Sequence, residues 1–210
     1  EMIFTLAVIH KELQRPDEAK DLVIEARDID PENHKINAYL GLLFHEKKEY
    51  VKAIPFFFKA LMVDPKNIVY ARNYAAALIH AGENSETIRF INSLAEEMRH
   101  DTILRQILAL AYFQSKLYKK SIPAIQNALQ DNPDYHFGNR LLGECYFKLK
   151  EFSKAKDYFI EYLSHKKDPY VYNYLGVINY HEGEHEAAVE YYTIALELMP
   201  KEPQVIKNLE

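Results

Sequence analysis

Along this chain the same kinds of residue return at a step of about 34, and that period limits its possible folds more than any single motif does. Pro31, Pro65, Pro133 and Pro200 stand 34, 68 and 67 residues apart. Small residues keep the step at Ala7, Gly41, Ala75, Ala109, Gly143 and Gly176, each preceded by a bulky one: Leu6, Leu40, Tyr74, Leu108, Leu142 and Leu175. A second small column reads Ala19, Ala53, Thr87, Ser121, Ala155 and Ala188. Four residues on comes Val23, Phe57, Ile91, Ile125, Phe159 and Tyr192, and then Ala26, Ala60, Leu94, Ala128, Tyr162 and Ala195.

Each period holds two stretches with apolar residues at helical spacing, such as Tyr39-Leu40-Leu43-Phe44 and Ile54-Phe57-Phe58-Leu61. Small residues fall where two helix backbones must approach closely. Short turns separate the stretches (Lys47-Lys48-Glu49, Ala81-Gly82-Glu83, Glu182-Gly183-Glu184). Asp-Pro or Asn-Pro ends the second helix, because proline pushes the preceding residue out of helical geometry. Pro55 and Pro123 are expected in the first turn of a second helix, where a missing N–H costs least. One hairpin cannot bury its own apolar face, so stability must come from stacking on neighbours.

The pattern L-G-x2-Y…A-x3-F…P resembles the tetratricopeptide repeat family, and "YLGLLFHEKKEYVKAIPFFFKALMVDP" (Tyr39 to Pro65) is its fullest copy. The resemblance covers the whole chain. It implies an all-α fold, a right-handed α-solenoid of stacked antiparallel helix pairs wound into a superhelix. The repeats are expected at 1–33, 34–67, 68–101, 102–135, 136–168 and 169–202, in a single array over 1–210. The third is degenerate, with Thr87, Ile91 and Leu94 at signature places and Arg99 where proline is usual. Residues 203–210 read as the start of a further repeat, and the opening EMIFTLAVIH as the first helix of a repeat and not a signal sequence. Both ends are therefore expected to be cut from a longer array.

The net charge of -5 argues against nucleic acid as the main ligand, since phosphate binding needs a basic face. No apolar run approaches the ~18 residues that span a membrane, so no membrane insertion is expected in this segment. A cytoplasmic location is the expectation. Cys145 is the sole cysteine, which excludes an internal disulfide framework. Its place on an apolar first helix suits a buried structural thiol.

One stretch invites an enzymatic reading. "HEGEH" (His181 to His185) matches the H-E-x-x-H of zinc proteases, with two histidines four apart and a glutamate beside the first. A zincin needs both histidines on one face of one continuous helix. In the repeat frame His181 ends a first helix, Gly183 occupies the turn and His185 begins a second helix. HEGEH reads as a turn. The acidic clusters Glu96-Glu97 and Asp28-Ile29-Asp30 are expected at the ends of second helices and read as solvated surface, and the isolated Gly82, Gly138 and Gly183 as turn or packing residues. No catalytic residue, cofactor or metal site is expected.

The resemblance further implies that the first helices line a concave groove gripping a peptide or a partner's helix. Carried over by place in the repeat, the candidate groove residues are Arg72, Asn73, Gln106, Phe113, Arg140, Phe147, Asn173, Tyr180 and Lys207. Val69, Ile103, Phe137 and Tyr170 take the second place of their repeats and Leu42, Ala76, Leu110, Glu144 and Val177 the ninth. Aromatic and Arg anchors of this kind are typical of interfaces. The alternative for Phe113, Phe147 and Tyr180 is packing between adjacent repeats. One subgroup of the family grips the C-terminal Glu/Asp-Val of chaperones with two lysines, two asparagines and an arginine. The chain departs from it: Ala38, Leu42, Ile103 and Ile107 stand where polar clamp residues are needed, and only Asn73 fits. The expected function is a non-enzymatic protein-interaction scaffold with a protein or peptide partner. The alternatives are a regulatory or targeting segment of a larger enzyme and a self-assembly module in which the array oligomerises.

Overall fold

The computed structural model describes residues 2–13 and 15–200. Over these the chain forms thirteen helices and no strand. They are α1 (Met2–Glu12), α2 (Pro16–Ile29), α3 (His34–Glu46), α4 (Tyr50–Val63), α5 (Ile68–His80), α6 (Asn84–Ser93), α7 (Glu96–Arg99), α8 (Thr102–Gln114), α9 (Tyr118–Asp131), α10 (His136–Lys148), α11 (Phe152–His165), α12 (Pro169–Glu182) and α13 (His185–Leu198). The chain gathers into two compact units, one up to Ala111 and one from Tyr112. In the first, α1/α2 and α3/α4 pack as pairs, α4 leans on α5, and α3 touches α5. In the second, α10/α11 and α12/α13 are the pairs, with α9 against α10 and α11 against α12. The fold class is all-α, built from antiparallel helix pairs. No helix among the described residues is long and apolar enough to cross a membrane.

The 34-residue columns are the packing itself. Gly41 lies beneath the Phe57 ring, where a Cβ would come within 2.6 Å, and Gly176 beneath Tyr192, where it would come within 2.4 Å. Where the small residue is alanine, its partner sixteen positions on is aliphatic: Ala7 and Val23 share one buried cluster, Ala75 and Ile91 another. The chain thus matches volume to volume within each hairpin, as close-packed interiors require.

Every described turn from first to second helix within a pair ends in one motif. The N–H of Glu49, Glu83, Leu117, Glu151 and Glu184 donates to the carbonyl five residues back, at 2.9 Å each time. The residue before each donor is left-handed: Lys48, Gly82, Lys116, Lys150 and Gly183, with φ from 59° to 84°. This is the Schellman closure of a helix C-terminus. Gly183 thereby ends α12, so His181 and His185 stand on different helices.

Loops between pairs are closed by side chains. Asn33 accepts from the amides of Lys35 and Ile36 while donating to Asp30 (3.0 Å), and Asn67 does the same with Val69, Tyr70 and Asp64. Two such Asp-Pro-x-Asn loops therefore cap α3 and α5 identically.

Two expectations need correction. Pro55 and Pro123 do not sit in first turns: α4 begins at Tyr50 and α9 at Tyr118, so each proline is the sixth residue, inside its helix. The missing N–H falls opposite the carbonyls of Val51 and Lys119, residues on the solvent side where water can substitute. In the degenerate copy the acidic pair Glu96-Glu97 does not end a second helix. α6 stops at Ser93, whose hydroxyl donates back to the Phe90 carbonyl (2.7 Å), Leu94 and Ala95 are extended, and Glu96-Glu97 open the separate α7. Met98 of α7 is buried and closes that gap.

Candidate functional site

In the first unit, Arg72 on α5 does not project freely. Its Nε donates to Asp101 Oδ1 (3.0 Å) and its Nη2 to Asp101 Oδ2. Asp101 in turn accepts from the Leu104 amide (3.1 Å) and so caps α8. Burial alone would push the Asp101 carboxyl up, but the Arg72 bonds and the α8 amides outweigh it and hold the carboxyl below its ordinary range. Asn73 and Gln106 are half-buried on α5 and α8. Val69 and Ile103, in the second place of their helices, are exposed at 52% and 43%.

The second unit repeats the device with an extra acid. Arg140 on α10 donates through Nε to Glu144 (2.9 Å) and through Nη1 to Asp168 (3.1 Å). Asp168 caps α12 by accepting from Tyr170 and Val171, and also takes the Tyr162 hydroxyl at 3.3 Å. Burial raises the Glu144 carboxyl more than Arg140 lowers it, and burial pushes the neighbouring Tyr174 hydroxyl up to about 12. Phe137, exposed beside this network, has the Arg140 guanidinium 5.7 Å from its ring centre. Tyr170 is likewise exposed, and Asn173 is half-buried.

The aromatic row divides. Phe113 is half-buried against Tyr118 (6.0 Å between centroids), and Phe147 lies between Phe152 (5.6 Å) and Tyr174 (4.8 Å). Tyr180 stands out, 59% exposed, with only the rings of His181 and His185 near it among the aromatic contacts. His181 stacks on Phe152 at 5.5 Å, an ordinary packing role for the first histidine of HEGEH. No group of three metal-ligating side chains occurs among the described residues. Cys145 is fully buried, and burial pushes its thiol up to about 11, leaving no nucleophilic thiolate at neutral pH. Lys207 lies outside the described residues.

The Arg–Asp clasps escaped the reading of the sequence, although a signal was present. Arginine occupies the fifth place of a repeat only where the repeat's last residue is aspartate: Arg72 with Asp101, Arg140 with Asp168. Where that last residue is Asn67 or Tyr135, the fifth place is Ala38 or Gln106.

Comparison with known proteins agrees with this geometry. Tetratricopeptide repeat family models match residues 4–67 and 169–202. ER membrane protein complex subunit 2-A of Xenopus laevis is 26% identical over 152 residues, covering 71% of this chain and 51% of its own length. Hsp70-Hsp90 organizing protein 1 of Arabidopsis thaliana is 28% identical over 182 residues, 80% of this chain and 30% of that one. The chain thus spans about half or less of the length of these curated relatives. Among solved structures, Pseudomonas aeruginosa PilF superposes with a TM-score of 0.77 at 17% identity, covering 98% of this chain and 94% of its own. The type IV pilus biogenesis factor PilW gives 0.78 at 18%, covering 100% and 97%. With the period written into the packing of its helix pairs and the family models falling on both units, the chain is a tetratricopeptide repeat protein.

Proposed function

We propose that this is a non-enzymatic scaffold whose first-helix face grips an extended peptide or a partner's helix. The observation that carries the reading is an exposed apolar residue recurring at the second place of successive first helices, Val69 and Ile103 in one unit, Phe137 and Tyr170 in the other. Singly exposed apolar residues are common, but their return at a fixed place beside ordered polar groups suits an interface. Each unit contributes its own share: Arg72, Asn73 and Gln106 in the first, and Phe113, Arg140, Phe147, Asn173 and Tyr180 in the second, with Lys207 a candidate beyond them.

The clasps refine the chemistry. Arg72 commits Nε and Nη2 to Asp101, and Arg140 commits Nε and Nη1 to Glu144 and Asp168. Their positive charges are already met by carboxylates, so the remaining N–H groups suit partner backbone carbonyls better than partner carboxylates. A fixed guanidinium also loses little side-chain freedom when a peptide arrives. The chaperone-tail clamp is disfavoured by Ala38, which is buried, and by Ile103 and Ile107 in clamp places. The period crosses the boundary between the units, from Ala109 to Gly143, and we read the repeats as one array.

The test is a pull-down from source-cell extract, read by mass spectrometry, with the wild type, Val69→Glu/Ile103→Glu and Phe137→Glu/Tyr170→Glu. Partners captured by the wild type should be lost from at least one variant of unchanged helical circular dichroism. Full retention by both variants removes the first-helix face as the binding site.

A further inference from the structure

The outer face of α4 is unlike that of any other second helix. Opposite its buried side, Val51, Pro55, Phe58 and Met62 are all exposed, Val51 at 69% and Met62 at 63%. Their spacing of four, three and four is the apolar seam by which one helix packs along another. The same places carry Lys119, Pro123, Gln126 and Gln130 on α9, and Ser153, Asp157, Ile160 and Ser164 on α11. Phe58 also meets the ring of Tyr74 on α5 (5.7 Å between centroids), but the α3/α4 pairing itself calls for no apolar seam there. An exposed stripe of this kind, rimmed by charge, marks an interaction surface.

Charge indicates the occupant. From residue 48 to 66 the α4 region holds Lys48, Lys52, Lys59 and Lys66 against Glu49 and Asp64. On α13 the equivalent places are Glu186, Glu190, Thr193 and Glu197, with exposed Val189 and Leu198 beside them and no cation in the helix. We propose that the apolar, lysine-flanked face of α4 docks the acidic outer face of α13 from a second copy of this chain. Two α4 faces brought together would set lysine regions against each other, whereas α4 on α13 sets lysines against glutamates. The contact is heterologous: it uses α4 of one copy and α13 of the other, and leaves the first copy's α13 and the second copy's α4 open to a further contact. Apolar area on Val51, Phe58, Met62 and Val189 supplies affinity, and the exposed charges supply register and salt sensitivity.

The experiment is the weight-average mass of the chain against concentration, by sedimentation equilibrium, for the wild type and two variants of unchanged helical circular dichroism. One variant is Phe58→Glu/Met62→Glu, the other Glu186→Lys/Glu190→Lys/Glu197→Lys. The wild type should gain mass with concentration and lose it again with added salt. Each variant alone should stay monomeric, and an equimolar mixture should form a dimer and stop, because each supplies the face the other lacks. A wild type that stays monomeric overturns the proposal, as does a mixture that stays monomeric. A monomeric wild type that sediments with anionic phospholipid vesicles, while Phe58→Glu/Met62→Glu does not, assigns the stripe to a membrane surface instead.

Discussion

Phe159 covers Gly143 so closely that a Cβ on the glycine would lie 2.5 Å from the ring. The pair joins α10 to α11, and Gly41/Phe57 and Gly176/Tyr192 show the same fit. Gly143→Ala should therefore cost about 1–3 kcal/mol by overpacking, despite the better helix propensity of alanine. Phe159→Ile alone leaves a void and should cost a comparable amount. Together they recreate the Ala75/Ile91 pairing, so the double variant should be more stable than the sum of single losses predicts, by roughly 0.5–3 kcal/mol. Urea unfolding of the four proteins measures it. Strict additivity would remove the volume matching inferred from the columns.

The left-handed turn residues give a second handle. An L-residue in that conformation costs roughly 1–2 kcal/mol, part of which glycine would return to the unfolded chain as entropy. Lys48→Gly, Lys116→Gly and Lys150→Gly should thus each raise stability, by up to about 1 kcal/mol, at φ values near 60° where lysine now sits. Gly82→Ala and Gly183→Ala should lower it by about 1 kcal/mol, although open space surrounds both glycines. Thermal melts of the five variants should split into three raised and two lowered midpoints. Any other sign pattern would mean that side-chain contacts, and not backbone conformation, dominate these turns.

The two clasps should differ in strength. Arg140 meets two carboxylates with its side chain 26% exposed and Asp168 at 8%, whereas Arg72 meets one and is 36% exposed. Arg140→Ala leaves two half-buried or buried acids without their cation and should cost about 2–3 kcal/mol. Arg72→Ala should cost about 1 kcal/mol, reduced by solvent screening. Chemical denaturation orders them. An Arg72 variant less stable than the Arg140 variant would show that exposure does not control these pairs.

Much of the fold was legible because packing imposes a column on the sequence. A glycine under a phenylalanine ring recurs at a fixed step, so the hairpins and the turn at Gly183 could be read directly. The clasps were harder to see, since Arg72 and Asp101 lie 29 residues apart at opposite ends of one repeat, and Arg140 and Asp168 lie 28 apart. An ion pair fixes a relation between two residues and not a residue type in a column. The position of Pro55 was misplaced because it depends on where α4 starts, and helix starts shift by a residue or two without changing the period. The α4 seam was invisible for another reason: it belongs to a single second helix, so no column describes it. The candidate binding residues were legible only as places in a repeat, and half-burial of Phe113 and Phe147 required the neighbouring rings to be located.

Acid should expose the first clasp. Arg72 and the α8 amides hold the Asp101 carboxyl below its ordinary 3.8 in the native state, against the opposing effect of burial. The unfolded chain therefore binds the proton more readily than the native one. The stability carried by the ionised clasp is complete above the unfolded carboxyl value and is lost as pH falls through the lowered native value. Asp101→Asn isolates this, because asparagine caps a helix about as well as aspartate while offering Arg72 no charge. The wild type should exceed the variant in unfolding free energy at neutral pH by about 1 kcal/mol, the share left to a partly exposed charged hydrogen bond. That margin should hold on acidification until pH nears 3.8 and shrink below it. Unfolding titrations of both proteins at a series of pH values give the difference directly. A margin that is constant through the acid range would show that Asp101 acts on α8 as a cap alone, with the Arg72 contact contributing nothing.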